Sequence, residues 1–592
     1  MPQITAPVQA AVTAIDVAPG QAVCRGQVLL RLESMKMELP VEATVDGTVQ
    51  ALHVAVGDAV QEGQALLAVA PQATVQGSTS SEPARGPGAG DDRHATARDL
   101  LAHRRALLTD AARPDDVARR HADGRRTARE NVAALLDAGS VVEYGAFAVA
   151  AQRNRRPVEE LQRRTPADGL VTATGHVDGR PAAVMAYDYT VLAGTQGVFN
   201  HRKSDRLLAL AARERLPLVL FAEGGGGRPG DVDWLGVAGL DCTTFGRLAA
   251  LAETVPTVGI AAGWCFAGNA ALLGCCELVI ATEGSSIGLG GPAMIEGGGL
   301  GRVAPADVGP VDALAAAGAV DAVVADEGEA VVLARRYLAL AAGDAEPGPA
   351  GADVATLHQA LPAARQGAFD PRPIVTAVCD AGSVTELRPV FGRSLVTALA
   401  RLHGRAVAIV ANDSRHGGGA LDADACDKLA RFMRLAQARG WPLVALVDTP
   451  GFMVGPASER QGMLRRAGEV FRSAARLRVP VAAVVLRRGF GLGAMAMTAG
   501  HFHAPVATAA WPSAEFGGMG LEGAVRLGFR KELEAQPEGE ARDALFAQLL
   551  ADAQARGQAL NMASHLEIDD VIDPVETRDW LRRVLATAPR SS

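Results

Sequence analysis

The sequence predicts a small all-β module tethered to a duplicated α/β fold. Three features predict it: a repeat at an offset of 37 residues near the N-terminus, a longer repeat at an offset of 225, and a Pro/Gly/Ser-rich segment between them. At 592 residues the chain is also too long for one hydrophobic core.

Residues 1–70 are short β-branched stretches punctuated by glycine, the pattern of strands and tight turns. Within them Val17-Ala-Pro-Gly20-Gln-Ala-Val23-Cys-Arg-Gly26-Gln-Val-Leu29-Leu30 recurs as Val54-Ala-Val-Gly57-Asp-Ala-Val60-Gln-Glu-Gly63-Gln-Ala-Leu66-Leu67. A fold of two equal halves joins them at a turn midway. The matched stretches, 6 to 30 and 43 to 67, place that turn at Met35-Lys36-Met37. A lysine at the exposed apex of a symmetric β-sandwich is a place where a prosthetic group can be attached and swung.

Residues 71–92 hold Pro, Gly, Ser and acidic residues without apolar periodicity and read as a flexible linker. Such a tether has a root-mean-square span of roughly 25 Å and an extended limit of roughly 75 Å.

Residues 93–345 and 346–592 read as two copies of one α/β fold, in which helical patterns alternate with apolar runs such as Leu218–Phe221 and Val444–Val447. Gly179-Arg180 through Asp188 aligns with Gly404-Arg405 through Asp413. The same offset pairs Lys203 with Lys428 and Pro217 through Glu223 with Pro442 through Asp448. The offset reads as 226 where Gly263-Trp264-Cys265-Phe266 meets Gly489-Phe490-Gly491-Leu492.

Charge and cysteine usage narrow the function classes. A net charge of −8 and the lack of a basic run argue against nucleic acid as the main partner. Seven cysteines over this length make no disulfide framework, and reduced thiols are the simpler reading. The start, MPQITAPVQA, has no basic-then-apolar leader, and no apolar run approaches a membrane span, so a cytoplasmic protein without a membrane partner is expected. There is no HExxH or CxxC spacing, and neither a metal site nor a GxSxG nucleophile elbow is expected.

Two glycine-rich segments follow apolar runs: Gly259 through Asn269 in the first half and Leu486 through Met497 in the second. Each reads as strand, tight turn and helix start. Glycine admits close approach of a ligand, and a helix N-terminus presents unbonded N–H groups to an oxygen that gains negative charge.

The hexapeptide Glu33-Ser34-Met35-Lys36-Met37-Glu38 resembles the attachment site of biotinyl carrier domains, where biotin protein ligase modifies a methionine-flanked lysine. Ser34 stands where the commonest form has alanine. Residues 95–585 resemble the acyl-CoA carboxylase carboxyltransferase family. The resemblance runs from Arg119 through Asn131 and Leu135 through Gly145, past Asp448-Thr-Pro-Gly-Phe452 and Arg465-Arg466, to Glu515-Phe-Gly-Gly-Met-Gly520. It implies a duplicated crotonase-like (ClpP/crotonase) fold behind a biotinyl barrel-sandwich domain. It also implies an active site between the N-terminal half of one subunit and the C-terminal half of another, in a dimer or hexamer.

The implied reaction moves a carboxyl group from N-carboxybiotin on Lys36, with Met35 and Met37 beside it, to the α-carbon of an acyl-CoA. The N–H groups of Gly268 and Asn269 would hold the enolate oxygen, and those of Gly493 and Ala494 the ureido oxygen of biotin. Departing biotin can act as the base. Every residue is assigned to carrier, linker or crotonase-like halves, so a separate biotin carboxylase subunit is expected as partner. A decarboxylase running the transfer in reverse, or a non-catalytic biotin carrier, are the alternatives.

Departures from the family pattern fall at Asn269, where a second glycine is usual, and at Glu223-Gly-Gly-Gly-Gly-Arg228, where Ser-Gly-Gly-Ala-Arg is common. Ala496 reads as a small residue near the pocket floor, with room for acyl chains longer than acetyl. His501 and His503 read as packed or hydrogen-bonded. Arg487-Arg488 could meet a phosphate or biotin or be solvated, and the arginines of 113–129 read as a solvated helix face.

Overall fold

The computed structural model describes residues 3–34, 37–71, 93–228, 230–233 and 239–587. It divides into two compact units, Met1–Asp92 and Arg93–Ser592.

The first unit holds β1 (Gln3–Thr5), β2 (Ala10–Ile15), β3 (Ala22–Val23), β4 (Val28–Ser34), β5 (Met37–Glu42), β6 (Gly47–Leu52), β7 (Ala59–Val60) and β8 (Ala65–Pro71). Two four-stranded sheets form, in the orders β1-β8-β6-β3 and β5-β4-β2-β7. The 37-residue repeat turns β2, β3 and β4 into β6, β7 and β8, so the two sheets correspond strand for strand. Gly20, Gly26, Gly57 and Gly63 take φ of 89°, 84°, 98° and 80°. A Cβ there would meet nothing within 4 Å, so backbone conformation and not space demands glycine at these turns. Leu29, Leu30, Leu66 and Leu67 fill the core between the sheets. The pairing of β4 with β5 ends at Ser34 opposite Met37. Met35 and Lys36 lie outside the described residues.

The second unit is built on two sheets. The first runs Ala322–Val324, Leu278–Thr282, Thr257–Ala261, Leu218–Phe221, Arg180–Tyr187, Leu170–Val177, Val142–Glu143. The second runs Thr385–Leu387, Leu395–Leu402, Arg405–Asn412, Leu443–Thr449, Val481–Phe490, Ala507–Ala510, Asp570–Val571, with Glu515–Gly517 paired beside Val481–Phe490. Their inner strands are parallel and buried on both faces, which explains the near-continuous apolar runs. Period-2 alternation splits each strand between two cores: along Arg405–Asn412, Ala408 and Val410 face one and Val407 and Ile409 the other. The connection between the halves follows the helix Glu327–Ala341, and the 345/346 division falls within it.

Strand register shows which residues of the halves are equivalent. Leu170 opposite Tyr187 matches Leu395 opposite Asn412, the offset of 225. At the next strands Leu218 pairs Thr257 and Leu443 pairs Val481, so the offset falls to 224. Phe266 opposite Gly288 then matches Phe490 opposite Gly517. The offset of 226 read from Gly263–Phe266 is therefore corrected to 224, because a residue is lost in the long connection before Thr257.

The two halves meet through Arg439, whose Nε lies 2.8 Å from Glu277 Oε1, and Arg431, which donates to Gly318 O at 2.6 Å. Tyr337 meets Trp441 edge-on.

Candidate active site

Both glycine-rich segments form strand, turn and helix start at the same level of their sheets. In the first half Trp264–Phe266 leads to Ala267 and the helix Gly268–Gly274; in the second Val481–Phe490 leads into Gly491–Met497. The pivot is Ala267 (φ 50°, ψ −121°) in one and Gly491 (φ 59°) in the other. An alanine in that region is strained and held by its surroundings. In the first helix the Ala271 N–H donates to Ala267 O at 2.9 Å, so the N–H groups of Gly268 and Asn269 precede the helical ladder. With Ala267 matched to Gly491, Gly268 corresponds to Leu492 and Asn269 to Gly493. Of the second pair expected from sequence, Gly493 thus corresponds to Asn269 and Ala494 to Ala270, one position deeper in the helix. Leu492 is 60% exposed.

The two turns are finished differently. In the second, a Cβ on Gly493 would come 2.5 Å from the carbonyl carbon of Gly451, so the loop after Leu443–Thr449 packs directly on the helix start. In the first, the equivalent loop packs against Ala267 and the Asn269 side chain bonds to it. Its Oδ1 accepts from Gly226 N at 3.2 Å, and its Nδ2 donates to Glu223 O at 3.0 Å and Gly194 O at 3.3 Å. Asn269 is fully buried. The asparagine and the tetraglycine loop, two separate departures in the sequence, are one structural feature.

Each half also holds a buried carboxylate gripped by two arginines. Asp448 receives Arg487 Nη2 at 2.8 Å and Arg488 Nε at 2.7 Å. Burial alone pushes its carboxyl up, but the hydrogen bonds of Arg488 and Arg487 outweigh this and hold it below the usual aspartate range. Arg487 is buried and Arg488 half-buried, and both point their guanidinium groups at Asp448. The equivalent Glu223 is held by Arg120, whose Nη1 donates at 2.7 Å, with Arg125 Nη1 at 3.6 Å. Arg113 pairs with Asp188 at 2.8 Å and Arg129 with Glu143 at 3.0 Å. The arginines of 113–129 read as a solvated face are corrected accordingly: Arg113, Arg120, Arg125 and Arg129 tie the N-terminal helices to the first sheet.

The repeat-paired lysines are buried too. Lys428 Nζ donates to Arg388 O, Phe391 O and Leu395 O at 2.8, 2.9 and 2.6 Å. Lys203 Nζ donates to Ala167 O at 2.7 Å and to Leu170 O. Burial lowers them to about 7 and about 8.

Other residues singled out in the sequence take modest places. Ala496 is fully buried in the central core. Met495 instead lines a cavity of about 520 Å³ with Gly491, Phe502, Phe516, Leu521 and Met562. His503 bonds Leu566 O at 2.9 Å and His501 accepts from His503 N at 3.2 Å; both are exposed. Gly284-Ser-Ser286-Ile-Gly288 has the spacing of a nucleophile elbow, but Ser286 is fully buried and its hydroxyl accepts from Gly309 N at 3.1 Å. All seven cysteines are free thiols. Among the described residues there is no metal-binding cluster, and no helix is long and apolar enough to cross a membrane.

A two-fold-repeated β-sandwich followed in the chain by a duplicated crotonase-like body is the organisation of an acyl-CoA carboxyltransferase carrying a biotin-type module. The comparisons agree: residues 119–590 match the carboxyl transferase domain family and residues 1–69 the biotin-requiring enzyme family, and the chain belongs to the carboxyl transferase family. It is 31% identical to the methylmalonyl-CoA carboxyltransferase 12S subunit of Propionibacterium freudenreichii, over 81% of this chain and 91% of that one. It is 30% identical to the biotin-dependent long chain acyl-coenzyme A carboxylase beta4 subunit of Mycobacterium tuberculosis, over 83% and 94%. A solved single-chain, multi-domain long-chain acyl-CoA carboxylase superposes with a TM-score of 0.78 at 45% identity; the match covers 98% of this chain and 56% of that chain's length. The transcarboxylase 12S structure, described as a hexamer with methylmalonyl-CoA bound, superposes with a TM-score of 0.75 at 29% identity, covering 85% and 97%.

Proposed function

We propose that this chain moves a carboxyl group onto the α-carbon of an acyl-CoA, with the two glycine-rich turns as its two oxyanion sites. The observation that carries the proposal is the equivalence of the turns, each opening a helix whose first N–H groups have no ladder partner. Gly268 and Asn269 hold the thioester oxygen as it becomes an enolate. Leu492 and Gly493 hold the second oxygen that gains charge, that of the carboxyl carrier. Biotin on Lys36 supplies the activated carboxyl group. The β4–β5 hairpin fits that attachment, since its pairing closes at Ser34 and Met37 around the lysine position.

The halves of different subunits form the complete site, as a dimer or hexamer. A biotin carboxylase carried on a separate subunit charges the biotin, and biotin protein ligase attaches it. The acyl group is longer than acetyl, a reading that the 45% identity to a long-chain acyl-CoA carboxylase supports.

The test is the reverse half-reaction, which needs no partner subunit. Purified chain, free biotin and a series of carboxylated CoA esters are mixed and release of the acyl-CoA is followed. Turnover rising with chain length supports both reaction and substrate class. A flat preference for the shortest ester removes the chain-length reading, and no turnover by folded protein removes the transferase reading.

A further inference from the structure

The two halves hold their carboxylates with arginines of different origin. In the second half, Val481–Phe490 is one unbroken strand, and Arg487 and Arg488 on it reach Asp448. In the first half the equivalent strand breaks between Ala261 and Trp264, and Gly263 (φ 131°) and Trp264 stand where Arg487 and Arg488 would. A Cβ on Gly263 would fall on the guanidinium of Arg125 and beside Glu223 Oε1. Arg125 lies more than a hundred residues earlier, just before the helix Ala128–Leu135 and outside the repeat. Its Nη1 donates to Ala262 O and lies 3.6 Å from Glu223 Oε1, and its guanidinium lies 6.0 Å from the Trp264 ring centre.

From these contacts we infer that Arg125 is a positioning residue for the first turn, delivered into the place that Arg487 fills in the second half. It grips the backbone at Ala262, six residues before Gly268. Through Glu223 it also reaches the loop that Asn269 latches, because Glu223 O accepts from Asn269 Nδ2. The segment holding the acyl-side N–H groups is thus clamped from both of its neighbours by one guanidinium. The break at Gly263 makes room for that guanidinium. The catalytic consequence rests on the reading of Gly268 and Asn269 as enolate donors.

The test uses Arg125→Ala and Arg125→Lys in the full chain, with amide exchange of residues 262–270 and the reverse half-reaction read together. Arg125→Ala should speed exchange across this segment and lower kcat on the order of 10²-fold, with KM for the CoA ester little changed. Added guanidinium should recover part of the loss in Arg125→Ala by refilling the space beside Gly263. Arg125→Lys should recover less than the native residue because an ammonium lacks the forked donor. It also serves where the alanine variant does not fold. Unchanged exchange in a folded Arg125→Ala protein, or a loss confined to KM, overturns the inference. Faster exchange with unchanged kcat keeps the clamp and removes the enolate-donor reading instead.

Discussion

Replacing Asn269 with glycine separates its backbone from its side chain, since glycine keeps the N–H and deletes the latch. Three hydrogen bonds disappear, to Gly226 N, Glu223 O and Gly194 O, all of them buried. At about 1 kcal/mol each, with no water to replace them, the loss of stability comes to about 3 kcal/mol. Glycine in the first turn of the helix adds up to about 1 kcal/mol more. Thermal or denaturant unfolding of the full chain measures this. Aspartate is the informative partner substitution: it keeps the acceptor toward Gly226 N but turns a carboxylate toward two carbonyl oxygens. It also sets a negative charge beside the place where the enolate oxygen forms, so kcat should fall on the order of 10²-fold. Asn269→Gly should retain far more activity than Asn269→Asp. Should Asn269→Gly prove as stable as the native protein, the latch argument fails. Should Asn269→Asp retain full kcat, the oxygen is not held at this turn.

Lys36→Arg should abolish labelling by avidin while leaving transfer with free biotin intact, and loss of both would show that module and body do not act separably. Gly491→Ala forces a Cβ into the left-handed region and within 2.7 Å of Gly518 O. It should lower kcat with free biotin on the order of 10²-fold, and unaltered turnover would move the second oxyanion site elsewhere. For Lys428, burial lowers the ammonium to about 7, whereas an unfolded lysine titrates near about 10.4. Between those values the unfolded chain binds more protons, so the stability contributed by this site rises with pH across that window and is flat below it. Lys428→Met should remove that rise and leave three carbonyls unbonded, destabilising the chain by several kcal/mol at neutral pH; a variant whose pH–stability curve parallels the native one would contradict the titration.

Periodicity and repetition made the architecture legible. The 37-residue offset maps one sheet of the small module onto the other, and the 225-residue offset reappears as strand register between Leu170 and Leu395. Register also shows where sequence comparison slipped. The glycines around Gly489 and Gly493 offer several equally good alignments, and the strand pairings of Thr257 and Val481 and of Phe266 and Phe490 select one. The arginine ties were illegible for another reason. Arg120 and Arg125 serve Glu223 from a hundred residues away, and no local pattern distinguishes a buried guanidinium from a solvated one. Asn269 read as a departure because its partner, the loop at Gly226, lies at a different strand end.

The foreign origin of the arginines on Glu223 bears on recombination. An exchange of carboxyltransferase halves between relatives, cut at the edge of the repeat, would pair Glu223 with another lineage's 113–130 segment. Where that segment lacks arginines at the positions of Arg120 and Arg125, a buried carboxylate is left without counter-charges, a change that typically costs several kcal/mol. The inherited unit of the first half is therefore the sheet together with its upstream helices, and crossovers placed before Arg113 should yield folded hybrids where crossovers after Glu130 do not.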